Sequence, residues 1–312
     1  MPTTSSTGAP TAPRFTPALL HPRHWPAWLA FGLLRLIAAM PHGFQLWLGA
    51  RFGDLLRRLA KRRIQVARRN LELCFPAMDR REREALLVEN SRSIGTLIPE
   101  IAFAWWGSER RHRRIHEVHG LEHLQGAAER GEGVVLLFCH FTTLELAGRL
   151  LAYHHPMAAL YREHKNPVLE YMVRGHRLDY GDALFNRTEL RGMVRYLRKG
   201  GVLWYAPDQD YERGQSVFVP FFGIPTATIT SAHELARMGR ARILVTQNRR
   251  LPDGRYRIEI HDWLADLPTD DATHDCARIN EAVERLVREC PEQYLWVHRR
   301  FKTRPPGEPS LY

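Results

Sequence analysis

The chain has 312 residues, enough for one large α/β domain or two small ones. Hydrophobic residues make up 44% and can supply a sizeable core, while a net charge of +11 favours an anionic partner: nucleic acid, acidic phospholipid or an acidic protein. The four cysteines, Cys74, Cys139, Cys276 and Cys290, are far apart and form no Cys-x-x-Cys, which argues against a zinc site or a disulfide framework and suits a reducing compartment.

Residues 1–14 are rich in Pro, Ser, Thr and Ala, and 1–24 is expected to be a disordered or flexible N-terminus. It does not make a signal peptide, because the apolar segment begins too late and lacks a small-residue cleavage site. From Trp25 to Ala50 the chain is strongly apolar, with Arg35 its only full charge and Pro41 interrupting it. This length suits a membrane anchor, either spanning or as a monotopic, interfacial helix pair. Arg51, Arg57, Arg58, Lys61, Arg62, Arg63, Arg68 and Arg69 follow at once, against Asp54 as the only acid. A basic flank marks the cytoplasmic side and attracts anionic headgroups, so the rest of the chain is expected to face the cytoplasm.

Residues 51–110 read as a helical, basic, membrane-proximal region. Its apolar positions Leu86, Leu87, Ile94, Leu97, Ile101 and Phe103 mark a helix over 79–106 that Pro99 should kink or split. His112, His116, His119 and His123 fall at helical spacing, but Gly120 interrupts the run, and Ile115 and Val118 suit a short strand, so a metal stripe is not expected.

Residues 111–312 read as an α/β domain. Val134 to Phe138 is an unbroken apolar run that predicts a strand buried on both faces. It ends at His140, and Thr142 can cap a helix starting at Leu144. His140 is therefore expected at the carboxyl edge of a parallel sheet, where open α/β sheets place their ligands. The spacing His140-x-x-x-x-Glu145 suits a carboxylate that orients an imidazole base. Thr142-x-x-Glu145 is equally a capping box, which needs no chemistry. Further strands are read at Met157–Leu160, Ala183–Phe185, Val202–Ala206 and Arg242–Thr246, with an edge strand over 255–264. Helices opened by Asn166-Pro167 and covering Leu190–Leu197 and Ser231–Met238 alternate with them, which argues for a mainly parallel central sheet flanked by helices. The strand at 202–206 also ends in polar residues, Asp208-Gln209-Asp210. The aromatic run 217–223 suits either an acyl channel or a loop packed on the core. Cys276, Ile279, Val283, Leu286, Val287 and Cys290 mark the apolar face of a last helix, ended by Pro291.

The strings ALLHPRHW at 18–25, RRNLELCFP at 68–76, HFTTLEL at 140–146, YR at 161–162, NP at 166–167, WYAPDQDY at 204–211, SVFVPFFG at 216–223 and EQYLWVHRRFKTRPPGEPSLY at 292–312 carry a resemblance. Together they are similar to the bacterial lipid A late acyltransferases, which add secondary acyl chains to the lipid anchor of lipopolysaccharide. The match looks closest to the lauroyltransferase branch, within the wider His-x-x-x-x-Asp/Glu glycerolipid acyltransferase superfamily.

The resemblance implies transfer of a fatty acyl group from acyl carrier protein to a hydroxyl of Kdo2-lipid IVA at the bacterial inner membrane, without a cofactor. Carried over residue by residue, it implies His140 and Glu145 as the catalytic pair, with Arg177 and Asp208 as further functional residues. Arg177 suits the acceptor's phosphates and carboxylates, and Arg162 or backbone N–H groups at the nearby helix start are candidate oxyanion donors. The family usually has Glu after Cys-Phe-Pro; here it is Ala77. A glycerophospholipid acyltransferase should carry a Phe-Pro-Glu-Gly block, which is absent. A non-catalytic membrane-surface binding protein would tolerate loss of His140. Nothing in the sequence supports a nucleic-acid module, so no nucleic-acid partner is expected.

Overall fold

The computed structural model describes residues 13–210 and 216–312, so the expectation of disorder for residues 1–12 lies outside the described residues. Residues 17–24, expected to be flexible, form two short 3-10 turns, Pro17–Leu20 and Pro22–His24. They are held because Leu19 and His24 are buried and the Trp28 indole N–H donates to the Leu19 carbonyl at 2.8 Å.

Helix α1 (Trp25–Ala39) stops at Met40, whose extended ψ of 160° is what a residue before proline prefers. Helix α2 (His42–Leu59) starts just after Pro41, and α3 (Lys61–Cys74) follows. An Asp79/Glu82 capping box opens α4 (Arg80–Trp106). Pro99 sits inside α4 without splitting it. Helix α5 (Glu109–Arg114) closes the helical region.

The α/β region runs β1 (His116–His119), α6 (Leu121–Glu129), β2 (Gly133–Phe138), α7 (Leu144–Leu151), β3 (Ala158–Tyr161), α8 (Pro167–Leu178), β4 (Ala183–Asn186), α9 (Leu190–Leu197) and β5 (Val202–Tyr205). It continues with β6 (Ser216–Phe221), β7 (Ile224–Ile229), α10 (Ser231–Gly239), β8 (Ala241–Arg250), β9 (Tyr256–His261) and α11 (Ala272–Glu289). The seven-stranded sheet has the order β1-β9-β8-β2-β5-β3-β4, and only the β8–β9 pair is antiparallel. The expected mainly parallel sheet is therefore present. The expected edge strand is instead interior, because β1 pairs with the far side of β9. The aromatic run 217–223 lies in the β6–β7 hairpin, where Phe221 and Phe222 pack into the main core, so the packed alternative holds. The four histidines fall on α5, β1 and α6 rather than on one helix.

β2 is the fully buried strand that its sequence predicted. Val134, Leu136 and Phe138 pack towards α7, and Val135 and Leu137 towards α10 and α11, in two separate core clusters. The chain leaves β2 through α7 on one face of the sheet, whereas β5 leads to α10 on the other. Such a divergence between neighbouring parallel strands opens a crevice at their carboxyl ends.

Of the two forms of anchor expected, the spanning one is not observed, since no helix among the described residues is long and apolar enough to cross a bilayer. Pro41 divides the apolar stretch. With 15 residues, α1 reaches about 22 Å against a hydrocarbon core of about 30 Å. The longer α2 carries Arg51, Asp54, Arg57 and Arg58. What the helices do present is an outward apolar stripe: Leu29 is 75% exposed, Leu36 64%, Trp47 56% and Leu59 70%.

The opposite face of α2 lies hard against α4. A Cβ added at Gly53 would stand 2.2 Å from the Ser91 carbonyl oxygen, and one at Gly95 2.1 Å from that of Gly49. Only glycine permits this approach. Gly53→Val is expected to cost about 1–3 kcal/mol through overpacking. Gly32→Ala, at an exposed α1 position with nothing within 4 Å of the new Cβ, should instead stabilise by up to about 1 kcal/mol. Urea unfolding of both variants in detergent checks the contrast.

Candidate active site

Parallel register builds the site. Leu137 of β2 pairs with Tyr205 of β5, and three residues further along each strand stand His140 and Asp208. The His140 backbone N–H donates to Asp208 Oδ2 at 2.9 Å, and its ring Nδ1 lies 2.6 Å from Oδ1. A carboxylate only accepts, so Nδ1 carries the hydrogen and the neutral ring keeps its lone pair on Nε2. The Asp208 side chain is 1% exposed and that of His140 21%, so the base reaches solvent while its partner does not.

Burial alone would lower the His140 pKa, but the charge of Asp208 and its hydrogen bond outweigh it, and the ring is held above its ordinary value. Burial pushes Asp208 the other way, yet His140 draws it down to about 2. At neutral pH Asp208 is therefore ionised, and this pair is poised to take and return a proton.

A late segment clamps the loop after β2. Leu295 N–H donates to the His140 carbonyl at 2.9 Å, and Thr142 N–H to the Gln293 carbonyl at 2.8 Å. Two buried asparagines hold that segment from beneath. Asn70 on α3 donates to the carbonyls of Trp296 and His298, and Asn90 on α4 to those of Glu292 and Tyr294. A small recess opens here, lined by His140, Asp208, Tyr294, Trp296, His298 and Arg300 among others. Burial lowers His298 to about 4, so it stays neutral and accepts the Asp210 N–H at 3.0 Å.

Glu145 does not orient His140, contrary to the expectation. It faces α4 and α8, and accepts from Trp105 Nε1 at 3.0 Å, the Tyr180 hydroxyl at 3.0 Å and Arg177 Nη2 at 2.6 Å. Burial opposes its ionisation, but Arg177 and these donors keep its pKa below the usual carboxylate value. Asp208 occupies the orienting position instead. Arg177 is correspondingly spent on Glu145 and offers no free fork to an acceptor phosphate. Arg162 is exposed just beyond β3, with no hydrogen-bond or ion-pair partner among the described residues.

The capping box does not form either. Helix α7 takes Thr143 as its N-cap residue without a side-chain bond, because both threonine hydroxyls have tertiary partners. Thr142 Oγ1 lies 2.7 Å from Ser93 Oγ, and Thr143 Oγ1 donates to the Asn248 carbonyl at 3.1 Å. Trp105, Tyr180, Tyr294 and His298 are site residues that the sequence reading missed. The only sequence signal for the last two is their place in the EQYLWVHRR string.

A histidine base on a buried carboxylate at a sheet edge is suited to deprotonating a hydroxyl, and comparison with known proteins identifies the chain as an acyltransferase. The family model for bacterial lipid A biosynthesis acyltransferases matches residues 12–303, and the chain belongs to this family. It is 41% identical over 302 residues to the lipid A biosynthesis lauroyltransferase of Escherichia coli K12, covering 96% of this chain and 99% of the relative. Identity is also 41%, over 301 residues, to the lipid A biosynthesis palmitoleoyltransferase of the same strain, with 96% and 98% covered. The lipid A biosynthesis myristoyltransferase of that strain is 32% identical over 308 residues, with 96% and 94% covered.

Because Glu145 is buried and the half-buried Arg177 is its only cation among the described residues, Arg177→Met should leave an interior carboxylate without its ion pair and cost about 3–5 kcal/mol of stability. Arg162→Ala, at an exposed and unpaired position, should stay within about 0.5 kcal/mol of the parent. Denaturant melts of the two variants, side by side, test the assignment.

Proposed function

We propose that the chain transfers an acyl group from an acyl carrier protein thioester to a secondary hydroxyl of Kdo2-lipid IVA. His140 is the general base and Asp208 its orienting partner. The observation that carries this reading is the 2.6 Å contact between His140 Nδ1 and Asp208, in a chain that belongs to an acyltransferase family.

In this mechanism Nε2 takes the hydroxyl proton as the oxygen attacks the thioester carbonyl. Asp208 stabilises the imidazolium that forms. The tetrahedral intermediate collapses, the C–S bond breaks, and the imidazolium returns its proton to the departing thiolate. No acyl-enzyme and no cofactor are needed. A positioned base contributes about 10²- to 10⁴-fold in rate. We assign the oxyanion contact to Arg162, a cation just beyond β3 without a partner among the described residues. Glu145 and Arg177 act through the ion pair that ties α7 to α8. The donor chain we propose is lauroyl.

The exposed stripe of α1 and α2 fits an interfacial anchor, lying in the membrane surface with the basic residues 57–63 against anionic headgroups. The catalytic domain then faces the cytoplasm of a bacterial inner membrane, where an acidic carrier protein meets a basic enzyme.

Mass spectrometry of Kdo2-lipid IVA incubated with the enzyme and a mixed acyl carrier protein pool should show a gain of one C12 acyl chain. A palmitoleoyl product would overturn the chain length, and acylation of lysophosphatidate with equal efficiency would overturn the acceptor. His140→Ala should lose at least about 100-fold in kcat.

The pH profile gives a further expectation. His140 must be neutral to act, and its pKa is raised by Asp208, so kcat/KM should climb with pH through a limb above 6.5. Asp208→Asn removes that charge, so its limb should shift to lower pH and its plateau should fall. Vesicle flotation checks the anchor: Leu29→Ser/Leu33→Ser/Leu36→Ser should weaken binding to anionic vesicles while leaving the melting temperature within a few degrees.

A further inference from the structure

Beneath the loop that carries His140 lies a buried polar network that the reaction itself does not use. Arg250, at the end of β8, directs its guanidinium into the interior. Nη1 donates to Glu100 and, at 2.7 Å, to Thr96 Oγ1; Nη2 donates to Ser93 Oγ at 3.0 Å. Ser93 Oγ is in turn 2.7 Å from Thr142 Oγ1, two residues beyond His140. The Arg250 backbone completes the frame. Its N–H donates to Gln293 Oε1 at 2.7 Å and its carbonyl accepts from Gln293 Nε2 at 2.9 Å, while the Gln293 carbonyl accepts the Thr142 N–H. Tyr256 donates a second hydrogen bond to Glu100, at 2.7 Å. Glu100 and Thr142 are 2% exposed and Ser93 3%, so water does not compete for these bonds.

The same turns of α4 face the outer helices. A Cβ added at Gly49 of α2 would stand 2.6 Å from the Thr96 Cα. Thr96 therefore touches α2 through its backbone and Arg250 through its hydroxyl.

We propose that Arg250 is a positioning residue for His140. It spans Glu100, Thr96 and Ser93 and so fixes the 140–143 loop against α4. The role rests on the reading of His140 as the base. Asp208 fixes the ring from the β5 side and the network fixes the loop from the α4 side, so Nε2 is held at one place relative to the acceptor. The fork is what the position needs. One guanidinium reaches the Glu100 carboxylate and the Ser93 hydroxyl at once, whereas an ammonium is a single point charge.

The test uses full-length enzyme with Kdo2-lipid IVA and lauroyl carrier protein. Arg250→Lys keeps a cation beside Glu100, so its melting temperature should remain within a few degrees of the parent. Losing the Ser93 contact should lower kcat by about 100-fold, the scale of a misplacement near 1 Å, with both KM values within about twofold. Thr142→Val, of the same shape without the hydroxyl, should give a similar fall. The double variant should be no slower than the slower single, because both cut one link. The pH limb should stay at the parent position in all three, since Asp208 is untouched. Wild-type kcat in Arg250→Lys or Thr142→Val, beside an inactive His140→Ala, overturns the positioning role alone. A kcat loss that vanishes when assays are run well below each variant's melting temperature also overturns it. Full activity in His140→Ala removes the base reading itself.

Discussion

A carboxylate buried to 1% exposure has to find a partner, and Asp208 finds one residue that donates to both of its oxygens. An ionised carboxylate left alone in an apolar interior would be prohibitively costly. Here the backbone N–H and the ring N–H of His140 both point at it. The geometry of the base is thus set by the same electrostatic demand that lets β5 end where it does. The site needs no separate scaffold: two adjacent parallel strands, each running three residues past its last pair, deliver the two groups to one another.

The sheet was largely legible because its strands are short apolar runs closed by polar residues, and β2, β3, β4, β5 and β8 fall where those runs lie. Asp208 was visible as the polar end of a strand, and through resemblance. Its pairing with His140 was not, since strand order is a tertiary property that no local pattern encodes. The Glu145 expectation failed for a related reason. A spacing of five residues across a strand end and a helix start fixes a distance along the chain, not the face the helix turns. The cation on α8 decided that face, because a buried carboxylate is best satisfied by a guanidinium fork. The hydroxyls of Thr142 and Thr143 likewise left their local capping role for tertiary partners. In the 25–50 stretch Pro41 marked the break between α1 and α2, so the helix pair was legible and only the spanning alternative fell away.

Helix α4 joins the parts. On one side its small residues let α2 pack almost backbone to backbone, and α2 turns an apolar stripe outward. Its other side supplies Asn90, Ser93, Thr96 and Glu100 to the interior, where they meet the late segment and the end of β8. Most of these polar groups are bonded, with Glu100 Oε2 and Asn90 Oδ1 left without a partner among the described residues, and bonded networks specify one arrangement more sharply than apolar packing does. The family acts on an amphipathic lipid, and one long helix here lies between the greasy exterior and the polar chemistry.

The late segment that clamps the base also has a consequence for how the molecule assembles. His140 and Asp208 are 68 residues apart in sequence, and Asn70 is 226 from the Trp296 carbonyl it holds. Closing loops of that length has to precede any reward from the contacts, which slows the formation of long-range structure. Strands β2 and β5 can pair before residues 293–298 arrive, so the sheet is complete before its reactive edge is. The clamp on the 140–142 loop thus joins segments more than 150 residues apart, and its closure waits on the synthesis of residues 293–295.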